Sequence, residues 1–97
     1  MAAHQEPWQW MHAPLATIPQ YFHSTCRRFP DRPAQLFNPD LCRGDHGGRL
    51  TWGQLEQRVE ALAGGLLDLG LGPRERVAIM AATGPHWTQA DLALACC

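Results

Sequence analysis

Two histidines and two cysteines in the first half of the chain have a spacing that could hold a metal ion. His23, Cys26, Cys42 and His46 read H-x2-C-x15-C-x3-H, which is close to the spacing of structural zinc sites. The alternative is packing, because Cys26 falls on the apolar face of a predicted helix, where small buried thiols are common. We favour packing and keep zinc as the alternative.

The N-terminal residues have two further chemical features. If Met1 is removed, the free amine, two backbone amides and the His4 imidazole could form a square-planar site for Cu²⁺ or Ni²⁺, although chance is the simpler explanation. Trp8 and Trp10 could make weak peripheral contact with a membrane, but the segment lacks the basic face of an interfacial helix. We favour packing of both Trp side chains on the rest of the protein.

His86 and Trp87 stand at the start of a predicted helix that follows a predicted strand. In α/β proteins this is a common place for ligands. We nevertheless expect Trp87 to be an anchor of the core, with contact to a substrate channel as the alternative.

Lysine is absent, since all eight basic residues are arginines. Mechanisms that need a lysine ammonium group are therefore excluded from this chain. The glycine pairs Gly47-Gly48 and Gly64-Gly65 do not form a phosphate loop, which needs backbone N–H groups at a helix start with Lys and Ser or Thr behind them. We accordingly assign no catalytic, cofactor-binding or metal-binding role to any residue.

The first elements are a helix and a short strand. Thr17 and Gln20 have the spacing of a capping box, and the apolar residues that follow share one helical face. Residues 34–37 are a strand candidate, and residues 38–48 are rich in turn-forming residues, which predicts a loop. The predicted face consists of Ile18, Phe22, Cys26 and Phe29.

The strongest helical pattern covers residues 52–69. Thr51 and Gln54 form a second capping box, and Gly70 and Gly72 are expected to end the helix in left-handed geometry. The pair Gly64-Gly65 inside this helix suggests close approach of a neighbouring backbone. The apolar residues recur every three or four positions, at Leu55, Val59, Leu62, Leu66 and Leu69.

An apolar run at residues 76–82 predicts a strand that is covered on both faces, in the centre of a parallel sheet. Pro85 then begins another helix, which continues to the last residue. Helix, strand and helix in this order predict the α/β class.

Composition excludes several kinds of protein. The chain has 97 residues, of which 45% are hydrophobic and 18% charged, so it is one globular domain at most. The formal net charge is −1 and the arginines are scattered, which makes nucleic acid an unexpected partner. No apolar run could span a membrane and no signal peptide is recognisable, so we expect a cytoplasmic protein with reduced cysteines.

From Thr17 onward the order of motifs resembles the N-terminal region of the AMP-forming adenylating enzymes, the superfamily of acyl-CoA synthetases. The resemblance rests on TIPQYFHSTCRRFPDRPA and on LTWGQLEQRVEALAGGLLDLGLGPRERVAIMAATGPHWTQADLALACC. Within the superfamily, the sequence segments FNPDL, TIPQYF and MAATGPHWTQADLALA are most similar to those of bacterial long-chain fatty-acid CoA ligases.

The resemblance implies a two-step reaction in which ATP and a fatty acid give an acyl-adenylate, from which coenzyme A displaces AMP. It also implies Mg²⁺ for the full-length enzyme, and later residues for all of the chemistry. We expect residues 1–16 to be an irregular leader and residues 17–97 to be the truncated start of the large domain, with helices packed on a mostly missing sheet. Alone, the chain should be inactive, and the gene should continue beyond Cys97.

Two alternatives remain open. One is another acyl- or aryl-adenylating ligase of the same superfamily. The other is a stand-alone interaction module without catalytic activity, which would have to cover its apolar helix faces by itself or with a partner.

Overall fold

The computed structural model describes residues 17–41 and 46–97. Three helices pack around a small core, and a two-stranded sheet lies beside them. In chain order the elements are α1 (Ile18–Arg28), β1 (Pro33–Leu36), two short 3₁₀ turns (Pro39–Leu41 and His46–Gly48), β2 (Arg49–Thr51), α2 (Trp52–Asp68) and α3 (Pro85–Cys96).

Helix α1 begins at the predicted capping box. The backbone N–H of Thr17 donates to Gln20 Oε1 over 2.8 Å, and the backbone N–H of Gln20 donates to Thr17 Oγ1 over 3.3 Å. Phe22 and Cys26 are buried as expected, whereas Ile18 is 66% exposed. The predicted apolar face is therefore wrong at Ile18, because the described part of the chain places nothing over the first turn.

Strands β1 and β2 pair antiparallel. Their register places Gln35 opposite Leu50 and Leu36 opposite Arg49, with an irregularity between Pro33 and Gln35. The predicted strand at residues 34–37 is confirmed with a shift of one residue. In β2, directly before α2 begins, Leu50 is fully buried.

Helix α2 also begins at its predicted capping box, formed by Thr51 and Gln54. The buried residues are Leu55, Val59 and Ala63, which are spaced by four. The expected stripe is wrong at Leu62, which is 38% exposed, and at Leu69, which is 86% exposed. Among the described residues, α1, α3 and the two strands cover one stripe of α2, and Leu62 and Leu69 lie outside it.

The glycines in and after α2 differ from expectation at three positions. A Cβ atom on Gly64 or Gly65 would meet nothing within 4 Å, so the predicted close approach of a backbone is wrong for the described residues. Gly70 has the left-handed geometry that was predicted, with φ of 99°. Gly72 does not, and the next left-handed residue is Arg74, with φ of 63°.

Residues 76–82 are not a strand in this structure. Val77 is 48% exposed and Met80 is 98% exposed, so the expectation of a central parallel strand is wrong for the described residues. The physical reason is the lack of a neighbour, because β1 and β2 are short and pair with each other. A strand forms only where another strand accepts its backbone hydrogen bonds.

Helix α3 begins at Pro85 as predicted and packs mainly on α2. Its buried side chains include Gln89 and Ala93. Within the described ranges, no helix combines the length and the hydrophobicity that a membrane crossing requires. The cytoplasmic location stays a prediction.

Candidate functional site

One cluster of side chains with metal-binding and acid–base chemistry lies where the three helices meet. His23 comes from α1, Glu56 and Glu60 from α2, and Cys96 from α3. The distance from His23 Nδ1 to Glu56 Oε2 is 2.7 Å. One ligand atom each from His23, Glu56 and Glu60 lies within 4.8 Å of the others. We call these three residues the His–Glu cluster.

Local structure positions each member. Glu56 and Glu60 are four residues apart on α2, so both side chains leave the same helical face, one turn apart. The His23 ring lies 5.3 Å from the Phe22 ring, which is part of the core. His23 and Glu56 are partly buried, with side-chain exposures of 32% and 25%, whereas Glu60 is exposed.

Cys96 approaches the opposite nitrogen of the same imidazole. Its Sγ lies 4.0 Å from His23 Nε2. His23 therefore has a carboxylate at one ring nitrogen and a thiol at the other, which fixes the plane of the ring between α2 and α3. This contact links the last turn of α3 to the His–Glu cluster.

The cysteines of this region are poor nucleophiles. Burial, together with the nearby carboxylates of Glu56 and Glu60, raises the pKa of the Cys26 thiol from 9.0 to about 12. Burial also raises the pKa of Cys96, with a contribution from Cys97. Cys26, Cys96 and Cys97 are unpaired thiols. Because the thiolate is the reactive form, Cys26 and Cys96 are kept in the unreactive form near neutral pH.

The zinc pattern predicted from the sequence is only partly visible. Cys26 is 2% exposed and belongs to the core, which confirms the packing role that we favoured for it. Cys42 and the side chain of His46 lie outside the described residues, so the four-residue pattern with His23 stays a prediction. The same holds for His4, Trp8 and Trp10.

His86 and Trp87 are exposed at the start of α3. Trp87 is 41% exposed, so the prediction that it anchors the core is wrong in this structure. The nearby groove, of about 380 Å³, is lined by β1 and by Thr83, Gly84, Pro85 and Thr88, and not by these two residues.

A second groove, of about 470 Å³, lies between residues 71–79 and the end of α3. Its walls include Arg74, Glu75, Asp91 and Leu94. The groove is open and mixes both signs of charge with apolar side chains, so it does not indicate one class of ligand.

The two glycine pairs lack the geometry of a phosphate loop at the start of a helix. Gly47 and Gly48 have φ of 65° and 87°, but the chain continues into β2 and not into a helix. Gly64 and Gly65 lie inside α2. Neither pair therefore has the helix-start geometry of a phosphate loop, and that no residue of this chain binds ATP or Mg²⁺ stays a prediction.

The sequence matches the family described as AMP-binding enzyme over residues 22–96. The chain belongs to this family. The AMP-binding assignment confirms the resemblance to the AMP-forming adenylating enzymes, and the three helices with their two-stranded sheet are consistent with an α/β piece of an AMP-binding domain.

Three relatives illustrate the range of the AMP-binding family. The chain is 35% identical over 78 residues to the long-chain-fatty-acid–CoA ligase heimdall of Drosophila melanogaster, an alignment that covers 80% of this chain and 12% of that protein. It is 36% identical over 70 residues to triostin synthetase I of Streptomyces triostinicus, covering 72% and 11%. It is 32% identical over 85 residues to the mitochondrial medium-chain acyl-CoA ligase ACSF2 of Pongo abelii, covering 87% and 13%.

The chain thus spans only between 11% and 13% of the length of these AMP-binding relatives. No solved structure matches it significantly.

The His–Glu cluster was missed by the sequence analysis. The spacing of Glu56 and Glu60 on a well-predicted helix was the available signal, because it places both carboxylates on one face. The partner on α1 could not be found in the same way. His23 and Glu56 are 33 residues apart, and only the packing of α1 on α2 brings them together.

Proposed function

We propose that this chain is part of an acyl-adenylating ligase that activates a fatty acid with ATP and transfers the acyl group to coenzyme A. The observation that carries the proposal is the family match, which extends over residues 22–96 and includes almost every described element. Two of the three relatives above are named as acyl-CoA ligases, one long-chain and one medium-chain. We propose long-chain fatty acids as the substrate class, because the segments FNPDL, TIPQYF and MAATGPHWTQADLALA resemble those of long-chain fatty-acid CoA ligases.

Within that reaction the chain has a positioning role. A lysine is absent and neither glycine pair has the geometry of a phosphate loop, so we assign the groups that stabilise charge on ATP and on the acyl carbonyl to residues outside this chain. What the chain supplies is a packed layer formed by α1, α2 and α3, with exposed apolar residues at 76–82 beside it. Such a layer stabilises the domain that holds the site.

A graft tests the proposal. Residues 22–96 of this chain replace the aligned segment of the Drosophila ligase, and the formation of acyl-CoA from ATP, coenzyme A and a long-chain fatty acid is measured. The graft is expected to keep activity, because a positioning segment of the same family should restore the same packing. A matched control carries the graft with Val59→Asp, which buries a charge in the core and should abolish folding and activity. A graft that folds cooperatively but forms no acyl-CoA would overturn the proposal.

The isolated chain gives a second test. Purified residues 1–97 should release no pyrophosphate above a blank when supplied with ATP, Mg²⁺ and a fatty acid, because the chain has no lysine and its two glycine pairs lack the geometry of a phosphate loop. Fatty-acid-dependent release of pyrophosphate would contradict the positioning role.

A second candidate is an adenylating ligase that does not form acyl-CoA. The observation in its favour is the identity to triostin synthetase I, which is 36%. The identities to the two acyl-CoA ligases are similar, at 35% and 32%. The same graft made in that synthetase separates the two candidates: higher retained activity there than in the Drosophila ligase would favour the second.

A further inference from the structure

The His–Glu cluster offers a nitrogen and two carboxylates on a partly buried surface between α1 and α2. His23 Nδ1 and Glu56 Oε2 are already 2.7 Å apart. One ligand atom from each of His23, Glu56 and Glu60 lies within 4.8 Å of the other two. The residues come from two helices that pack through the core residues Phe22, Cys26, Leu55 and Val59. The backbone positions of the cluster are therefore held by packing, and only the side-chain ends need to move.

The negative charge of the cluster is incompletely compensated. Glu56 has His23 as an ion-pair partner, which is cationic only when it is protonated. Among residues 17–41 and 46–97, the Glu60 carboxylate has neither a hydrogen bond nor an ion pair of its own. A divalent cation would neutralise both carboxylates and would leave His23 neutral, as a metal ligand requires.

We propose that His23, Glu56 and Glu60 form a binding site for a divalent transition-metal ion, with Zn²⁺ as the ion that fits best. This inference is independent of the proposed ligase function. Zinc binds imidazole nitrogen and carboxylate oxygen at about 2.0 to 2.2 Å, so neighbouring ligand atoms of a tetrahedral site lie about 3.4 Å apart. The His23–Glu56 distance would open slightly and the distances to Glu60 would close, which rotation of two glutamate side chains allows.

The ligand types select the metal. An imidazole nitrogen suits zinc, copper, iron and nickel, whereas Ca²⁺ and Mg²⁺ prefer oxygen ligands alone. Three protein ligands leave a fourth tetrahedral position for water. Zinc is redox-inert and has no strong geometric preference, which suits a site whose third ligand, Glu60, is exposed.

Cys96 has a different role in this site. It approaches Nε2 of His23, on the opposite side of the ring from Glu56, so it cannot share an ion that is bound to Nδ1. When Nδ1 binds the metal, Nε2 carries the proton and Cys96 Sγ becomes its weak acceptor. An outer partner of this kind orients a ligating histidine. This ligand set also differs from the zinc pattern read from the sequence, which requires Cys42 and His46.

Equilibrium dialysis of the 97-residue chain against Zn²⁺ measures the proposed binding directly. The bound metal is quantified by ⁶⁵Zn counting or by total zinc analysis. We expect one equivalent of zinc to be retained, with the variants His23→Gln and Glu60→Gln weakening binding by roughly tenfold or more. Glu75→Gln is the matched control, because it removes the same charge from an exposed position outside the cluster and should leave binding unchanged. Circular dichroism checks that each variant has the helix content of the parent chain.

Three outcomes would overturn the proposal: no zinc retained by the parent chain, equal loss in Glu60→Gln and Glu75→Gln, or loss of binding in Cys42→Ser together with no loss in Glu60→Gln. The last outcome would establish the cysteine pattern instead.

Replacement of zinc by Co²⁺ gives a second readout, because thiolate ligation adds an intense near-ultraviolet sulfur-to-cobalt band. We expect visible cobalt bands without that sulfur band in the parent chain, and an unchanged spectrum in Cys42→Ser. A sulfur-to-cobalt band would contradict the proposed ligands.

Discussion

The side-chain amide of Gln89 in α3 donates a hydrogen bond to Oε1 of Gln35 in β1, over 3.0 Å and across 54 residues of chain. Gln35 in turn donates from Nε2 to the backbone carbonyl of Pro85, over 3.2 Å. Gln89 is 1% exposed, so its amide depends on this partner. The two glutamines thus join β1 to α3 through side-chain hydrogen bonds.

Removing the donor of this pair should destabilise the fold. Gln89→Met keeps the length of the side chain but leaves Gln35 Oε1 without its donor, which should lower the free energy of unfolding by about 1–3 kcal/mol. Urea denaturation followed by circular dichroism measures the change. Gln57→Met is the control, because Gln57 is exposed on α2, and it should change stability by less than about 0.5 kcal/mol. Equal effects of the two variants would show that the buried pair contributes nothing specific.

The capping box of α2 gives a second prediction. Thr51 accepts a hydrogen bond from the Gln54 backbone over 3.2 Å, and its own N–H donates to Gln54 Oε1 over 2.9 Å. Thr51→Ala removes the first of these bonds and should lower the free energy of unfolding by about 1 kcal/mol. Thr83→Ala, at an exposed bend before α3, should have little effect in the same chemical denaturation experiment. A Thr51→Ala variant as stable as the parent chain would contradict the role of the cap.

Local signals in the sequence predicted the helices well. Both capping boxes are present where Thr17 and Thr51 placed them, and Pro85 begins α3. These features depend on side chains that bond within three residues of each other, so the sequence contains all of the necessary information. The strand β1 was also found, because proline and turn residues bound it on both sides.

Features that depend on distant partners could not be predicted in this way. Residues 76–82 have the composition of a central strand, but pairing requires neighbours that the described chain does not place there. Trp87 and Leu69 are apolar and exposed for the same reason, since hydrophobicity alone does not say which surface is covered. The His–Glu cluster was missed because helix packing, and not sequence spacing, brings His23 to Glu56.

Two glycines in contrasting environments give a third prediction: replacing one by alanine should raise the stability of the chain, and replacing the other should lower it. A Cβ atom at Gly64 meets nothing within 4 Å inside α2, so Gly64→Ala should stabilise the chain by about 1 kcal/mol through helix propensity. At Gly48, φ is +87° and a Cβ atom would lie 2.4 Å from the carbonyl oxygen of Phe37. Gly48→Ala should therefore destabilise the chain by roughly 1–3 kcal/mol.

Thermal unfolding of the two glycine variants under identical conditions checks this contrast. The midpoint should rise for Gly64→Ala and fall for Gly48→Ala. If Gly64→Ala lowered the midpoint, α2 would have a close neighbour at that position, as its sequence first suggested.

The buried thiol of Cys26 gives the last prediction, which concerns pH. Burial raises the pKa of this thiol from 9.0 to about 12 in the folded chain, whereas the unfolded chain exposes it to water. Between pH 9 and about 12 the unfolded thiol loses its proton and the folded thiol keeps it, so the folded state binds more protons. The free energy of unfolding should therefore fall as pH rises through this range, and the stabilising contribution should be complete below pH 9.

Comparison with Cys26→Ala isolates this contribution from those of the other titrating groups. Below pH 9 the variant should be less stable than the parent, because it leaves a small cavity. Above pH 9 its stability should fall less steeply, so the difference from the parent should shrink or reverse. Urea denaturation at a series of pH values, with a chelator present to remove metal ions, measures both slopes. Cys97→Ala is the control, since Cys97 is exposed at the end of the chain. Parallel slopes for the parent chain and Cys26→Ala would mean that the thiol ionises as readily in the folded chain as in the unfolded one, and that burial between α1 and α2 does not protect its proton.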